Sequence, residues 1–332
     1  MADAEAAAGS DAPATLTVDL AATVENYRML AAKAAPAECA GVVKADAYGL
    51  GAAKVAPALH RAGCRTFFVA TLDEGRALRT LLPQVRIYVL DGLHGSDAAA
   101  FIADRLQPVL TSLEELERWR GSRGVEAGLH LDTGLSRLGM PADEAARLAG
   151  EPQRLEGITL TLAMSHLACA DELAHPMNAE QLARFGATLD TLPLPKGITR
   201  SLAASSGVFL GAKYAFDLVR PGAALYGIEP LARQPNPLRQ VVRLQAKSCR
   251  SGALTLVAPL AMVRPIVSTG RRGWRRSVSA TRTVSCAPSR TGAAPISMGG
   301  AFRLSAASPW ISPSSISADC PKARCGRACR SI

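Results

Sequence analysis

Eight short apolar runs recur along this chain at intervals that each leave room for a helix. They fall at 39–43, 66–70, 86–90, 107–110, 128–131, 158–164, 201–204 and 217–219. Between them lie helical patterns such as Leu113-Glu114-Glu115-Leu116-Glu117-Arg118-Trp119 and Ala179-Glu180-Gln181-Leu182-Ala183-Arg184-Phe185. Short strands alternating with helices build parallel sheets, because a parallel pair needs a long crossover. Periodicity alone leaves a doubly wound sheet open, whereas eight such repeats within residues 14–240 match a (β/α)8 TIM-type barrel.

The polar residues narrow the choice. Lys44 follows the first run, Asp132 and Arg137 the fifth, and Ser165-His166 the sixth. Ser205-Ser206-Gly207 follows the seventh and Arg220-Pro221-Gly222 the eighth. All sit after strand C-termini, the face where barrel active sites are built. Singly, each has a plain structural explanation: a turn at Asp132, a satisfied core imidazole at His166, a surface cation at Arg220. Scattered residues would divide between the two faces, and these do not.

Their chemistry also coheres. The run Gly41-Val42-Val43 delivers Lys44 to a strand mouth, where desolvation disfavours the ammonium and frees a nucleophilic amine. Ser205 and the backbone amides around Gly222 can cradle a phosphate, and Tyr48 can add a phenolic donor. His166 can lie against an aromatic cofactor ring. An arginine such as Arg220 facing a pyridine nitrogen keeps that nitrogen unprotonated, and Arg137 can grip a carboxylate with its planar fork.

The segments VVKADAYGLG, HLDTGLSRLGM, AMSHLACADE, SLAASSGVFLG and DLVRPGAALYGIEP, in this order, resemble alanine racemases. The resemblance covers roughly residues 14–245. It implies a pyridoxal 5'-phosphate enzyme, built of a barrel and a C-terminal β-domain, that interconverts L- and D-alanine for cell-wall precursor supply. It makes Lys44 the Schiff-base lysine and one of two catalytic bases. Tyr48, His166, Ser205, Gly222 and Tyr226 fall in cofactor-pocket motifs. Arg220 matches the arginine at the pyridine nitrogen, and Arg137 the one near the substrate carboxylate. It implies no metal, and a homodimer that a chain without the C-terminal domain would not complete. The chain departs from the family at Leu50 (usually histidine), His130 (often a carbamylated lysine) and Ala204 (commonly asparagine).

Composition divides the chain near Lys247. Residues 247–332 carry 14 of the 38 Lys and Arg but only Asp319 among 28 acids, and five of the eight cysteines. They are rich in Ser, Arg and Pro without a sustained period, which reads as a basic, disordered segment rather than a β-domain. Charge alone would suggest nucleic acid, but the aromatic residues there are only Trp274, Phe302 and Trp310, and no specific nucleic-acid partner is expected. The family's second base is a tyrosine in the C-terminal domain. Here the tyrosines are Tyr27, Tyr48, Tyr88, Tyr214 and Tyr226, none beyond Lys247.

A shifted reading frame accounts for this. Read from the third base of each codon, Lys247 to Ser251 permits Ile-Leu-Gln-Val, and Leu260 to Pro265 permits Val-Gly-Tyr-Gly-Ala-Thr. Arg276 to Cys286 permits Val-Gly-Phe-Gly-Tyr-Ala-Asp-Gly-Phe-Leu, and Gly299 to Ser312 permits Gly-Val-Pro-Leu-Val-Gly-Arg-Val-Ser-Met-Asp-Leu. The last three resemble C-terminal motifs of alanine racemases, in family order. The single codons of Met262 and Trp310 force the guanine that begins the next hidden Gly and Asp. The expected organisation is therefore a disordered tail at 1–13, a cofactor-binding barrel at 14–240, and an out-of-frame remnant at 247–332. The tail at 1–13 lacks the basic start of a signal peptide, so the default expectation is the cytoplasm with no membrane association. The competing reading is a non-racemising pyridoxal-phosphate barrel protein, which needs no second base.

Overall fold

The computed structural model describes residues 14–96, 98–122 and 124–246, with strand backbone at 252–253, 275–276 and 282–284. The expectations for 1–13 and for most of 247–332 lie outside the described residues. The chain opens with β1 (Ala14–Val18) and α1 (Leu20–Ala34), whose first turn is capped by the Asp19 carboxylate accepting from Ala22 N at 2.9 Å. The barrel strands follow: β2 (Glu38–Cys39), β3 (Gly41–Val42), β4 (Thr66–Val69), β5 (Arg86–Val89), β6 (Gln107–Leu110), β7 (Ala127–His130), β8 (Leu160–Met164), β9 (Thr199–Ser201) and β10 (Leu218–Val219). Helices α2 (Ala52–Arg61), α3 (Leu72–Leu81), α4 (Ala98–Ala103), α5 (Leu113–Trp119), α6 (Ala142–Gly150), α7 (Pro176–Thr191) and α8 (Ala212–Ala215) lie among them. Every predicted apolar run contains or overlaps a strand.

Strands β3 to β9 pair in sequence order, all parallel. Closure comes from β10. It pairs in parallel with β2, and Ala40 and Val42 donate to Val219 O and Pro221 O at 2.9 and 3.0 Å. On its other side Arg220 N donates to Ala203 O at 2.9 Å and Asp217 N to Arg200 O at 3.1 Å. The sheet therefore curls into the eight-stranded ring expected from the sequence.

Alternation along each strand sorts side chains into two cores. Ala40, Val42, Phe68, Tyr88, Val109, Leu162, Met164 and Leu218 fill the barrel interior, with Phe68 and Tyr88 stacked at 5.1 Å. Their strand neighbours Phe67, Ile87 and Leu129 pack outward with Leu30, Leu59, Leu78, Leu116 and Phe185 of the helices. Outside the ring, β1 pairs antiparallel with β11 (Val242–Ala246) in five rungs, from Ala14 opposite Ala246 to Val18 opposite Val242. Of the later residues, β12 (Gly252–Ala253) pairs with β13 (Arg275–Arg276), and β14 (Arg282–Val284) pairs with β11. Among the described residues no helix is long and apolar enough to cross a membrane.

Candidate active site

Lys44 lies two residues past the end of β3 and begins a turn of the opposite hand to an α-helix. Ala45, Asp46, Ala47 and Tyr48 all lie near φ 51 to 58° and ψ 33 to 51°. For L-residues each left-handed position costs about 1–2 kcal/mol, so this backbone persists only because its surroundings dictate it. Ala47 is fully buried and its N–H reaches Val43 O at 2.9 Å, while Ala52 N donates to the Asp46 carboxylate at 2.7 Å. The turn leaves Lys44 half-buried at the barrel mouth and swings Tyr48 over the end of β10. Burial, and then the charge of Arg137, hold the Lys44 ammonium below its ordinary pKa, while Glu74 works in the other direction.

Tyr48 meets the second element of the site. Gly222 N and Ala224 N donate to Ser205 Oγ at 3.0 and 3.1 Å, where the 3-10 turn Ala223–Tyr226 begins. A side chain on Gly222 would meet the Tyr48 hydroxyl at 2.3 Å, so only glycine allows that phenol so close. Two backbone amides and two hydroxyls thus converge around Gly222, the composition of an anion cradle. Behind it, Tyr226 stacks obliquely on Tyr48 at 4.9 Å and gives its own hydroxyl to Val42 O at 3.0 Å.

The third element is a gathering of basic groups. Arg220 is 3% exposed and its recorded partners are neutral: the Ser201 hydroxyl and Ser165 O, at 2.5 Å for the latter. Burial lowers its pKa to about 9, which still leaves it cationic at neutral pH. His130, at the end of β7, is buried with neither ring nitrogen bonded to any described residue. Burial and then the nearby Arg220 push it down to about 3. His166 is likewise held well below its usual value by burial, then by Arg220. Both imidazoles are therefore neutral at pH 7. The charge of Arg137 acts on Lys44, His130 and His166 alike. A rim with this balance, beside amide and hydroxyl donors, suits a ligand carrying a phosphate or carboxylate.

The matching family model is that of the alanine racemase N-terminal domain, which aligns with residues 18–230. An alanine racemase of Acidiphilium cryptum is 46% identical over 272 residues, covering 81% of this chain and 72% of the relative. That of Rhodospirillum rubrum is 48% identical over 243 residues, covering 71% of this chain and 64% of the relative. The crystal structure of alanine racemase from Bartonella henselae with covalently bound pyridoxal phosphate superposes with a TM-score of 0.70 at 40% identity. That match covers 75% of this chain and 70% of that one. The chain belongs to the alanine racemase family. It spans 64 to 72% of the length of these two curated relatives.

Within this alanine racemase frame the predicted residues separate by role. Lys44, Tyr48, Ser205, Gly222, Arg220, Arg137 and His166 gather at the C-terminal end of the barrel, in direct contact or within each other's electrostatic reach. Tyr226 stands one layer behind, its hydroxyl committed to the backbone. Asp132 resolves to its plain alternative, since its carboxylate accepts from Gly134 N and Leu135 N at 2.9 Å and from Ser136 N at 3.0 Å. It shapes the turn that carries Arg137.

Two supporting residues escaped the sequence reading. Gln181 of α7 is fully buried; its amide donates to His166 O at 2.9 Å and Thr133 Oγ1 at 3.3 Å, and accepts from Ala168 N at 2.8 Å. Thr133 shares a 2.8 Å bond with Ser165, whose carbonyl receives Arg220, so one helix residue braces both strand-end loops. The structure shows Gln181 on the buried face of α7 with Asn178 and Phe185, and no local pattern in the sequence marked it. Glu74 bonds the turn at Lys44, and its signal was the spacing Thr71-x-x-Glu74, a helix-start pattern.

Proposed function

We propose that this polypeptide derives from a pyridoxal-phosphate-dependent alanine racemase and keeps that enzyme's cofactor-binding barrel. The observation that carries the reading is the convergence of Lys44 with the Ser205–Gly222–Ala224–Tyr48 cradle and Arg220 at one barrel mouth. The fit to pyridoxal phosphate is chemical. The cradle offers amide and hydroxyl donors suited to a phosphate, with room kept by the missing side chain at Gly222. Lys44 is an amine whose proton is already weakened, suited to hold an aldehyde. Arg220 is anchored by neutral oxygens, and among the described residues no acid bonds it that could relay a proton to a ring nitrogen.

When bound, pyridoxal phosphate supplies an electron sink that acidifies the Cα–H of an amino acid. The chain's own groups do the rest. Arg137 holds the substrate carboxylate through its fork, and Lys44 takes or returns the Cα proton on the face it occupies. Neutral His166 and the Tyr48 ring bound the pocket. Racemisation also needs a donor on the other face. Within the barrel Tyr27 and Tyr226 give their hydroxyls to carbonyls, Tyr88 shares its own with Thr161, Tyr214 is buried, and Tyr48 belongs to the cradle. The segment after Ala246 contains no tyrosine.

We infer accordingly that residues from about 247 onward are read in a neighbouring frame. The assignment rests on hidden motifs at three places with one offset. The given chain then racemises alanine very slowly or not at all, and cannot complete a homodimer of the family type. The restored protein would act in the cytoplasm, supplying D-alanine for peptidoglycan precursors. The test is D-alanine formed from L-alanine by the given chain beside a version with one base inserted near the Lys247 codon. A single positioned base is typically worth 10²–10⁴-fold, so about that loss is expected. Equal rates would refute the two-base account of this chain.

A further inference from the structure

The left-handed turn after Lys44 needs restraint at both ends. Its far end is held locally, by Gly51 N on Asp46 O at 2.9 Å and Ala52 N on the Asp46 carboxylate. Its near end is Ala45 N, the first amide past the lysine. That amide donates to Glu74 Oε1 at 2.9 Å, and Glu74 comes from another segment, the first turn of α3. The second oxygen, Oε2, accepts from Ala70 N at 2.8 Å, at the end of β4. Thr71 caps α3 and takes Glu74 N at 3.4 Å. In an ordinary capping box the acid three residues on returns to the cap's own amide. Here it reaches one residue further back and spends its other oxygen across the strand gap.

We propose that Glu74 is a positioning residue for Lys44, clamping the exits of β3 and β4 together through one carboxylate and fixing where the left-handed turn begins. Two consequences follow from the geometry. The clamp sets the angle at which Lys44 leaves the barrel, since Ala45 N is one bond beyond it. It also brings the acid that faces this lysine, against Arg137 from the loop after β7 and the neutral His166 after β8. Ala45 is exposed, so water can replace a lost acceptor in part, and the expected effects are moderate.

The test uses the full chain with Glu74→Ala and Glu74→Gln. One arm, without cofactor, reads hydrogen exchange of the peptide 43–52 and the pH midpoint of Lys44 acetylation by acetic anhydride. Losing one hydrogen bond should speed exchange in Glu74→Ala about fivefold at Ala45 to Tyr48, with exchange in β5 and β6 unchanged. Glu74→Gln keeps an acceptor but not the charge, so exchange should move less while the acetylation midpoint falls to lower pH. The other arm reads half-saturation by pyridoxal phosphate after borohydride trapping, which should rise about fivefold in Glu74→Ala and less in Glu74→Gln. Unchanged exchange and unchanged midpoint overturn the proposal, as does a loss of protection spread evenly over the barrel. If Glu74→Ala does not fold, the Glu74→Gln midpoint decides. The cofactor arm rests on the function proposed above. A wild-type chain that takes up no pyridoxal phosphate would refute that function, while the exchange and acetylation arms would still judge Glu74.

Discussion

The two ends of the barrel handle charge in opposite ways. At the N-terminal ends of the strands Glu38, Arg86, Glu126, Arg200 and Asp217 are all tied into side-chain bonds. Glu38 accepts from Thr66 Oγ1 and Arg86 at 2.6 Å, Gln107 donates to Glu126 at 2.8 Å, and Arg200 clasps Asp217 at 2.8 and 3.0 Å. At the C-terminal ends Lys44, Arg137, Arg220, His130 and His166 crowd together, with Glu74 as the acid acting on the lysine. The first end is finished by the chain itself and joins neighbouring strands. The second gathers partly desolvated basic groups beside the turn at Gly222 and Ala224, whose amides converge on Ser205 Oγ. A closed ring makes this division possible, because its stability is secured at one end and its chemistry at the other.

The sharpest way to break this comparison is to remove the lysine. Lys44→Ala should abolish borohydride-fixed pyridoxal phosphate completely, with no label moving to Lys54 or another lysine by peptide mapping. A label elsewhere would mean that the C-terminal end is not organised around Lys44. Next in size is the brace beneath it. Gln181→Leu removes the buried bond to Thr133 Oγ1 and the partly buried ones with Ala168 N and His166 O, and should cost about 2 kcal/mol in urea unfolding. Cofactor half-saturation should also weaken, which loss of packing remote from the site would not produce.

How far the sequence disclosed these features depends on their range. Strands and helices were readable because short apolar runs and helical periods are local, as at Leu113–Trp119. The placement of Lys44, Ser205 and Arg220 at one barrel end followed from strand direction alone. The left-handed turn was not readable, since Ala45, Ala47 and Tyr48 prefer other conformations and the restraint comes in part from Glu74, in another segment. Asp132 could be read either way, because an aspartate before Thr133-Gly134 serves a turn as readily as a site. Gln181 was hidden inside a good helical pattern, where its role depends on loops that arrive from β7 and β8.

A smaller effect should separate the two ends by pH. His130 is held at about 3 when folded against an ordinary 6.5, so the unfolded chain binds the extra proton between those values. Stability must therefore fall as pH drops from 6.5 toward 3, by about 2 kcal/mol from this group on reaching pH 5. His166 adds in the same direction. In His130→Phe the loss between pH 7 and pH 5 should be shallower by that amount in urea midpoints, and an unchanged slope would place the titration elsewhere. The smallest effect belongs to the opposite end. Arg200→Ala should cost less than about 1 kcal/mol at pH 7, because the pair is half-exposed. Arg200 depresses the Asp217 carboxyl, so this contribution is present above its ordinary 3.8 and fades as the pH falls below it. A loss comparable to that of Gln181→Leu would show that the paired end matters more than its solvent exposure allows.

The ladder between β1 and β11 has a consequence for how the gene can be cut. With Ala14 opposite Ala246, the point where the chain enters the barrel region and the point where it leaves are neighbours across one rung. The frame change proposed near codon 247 would fall after the last rung, leaving residues 14–246 with every strand of the ring and the strap that fastens its ends. The same adjacency makes the segment 14–246 a natural cassette. Its ends can be joined by a short linker and the chain reopened at a surface loop, or another C-terminal segment can be grafted on at Ala246 without disturbing a barrel strand.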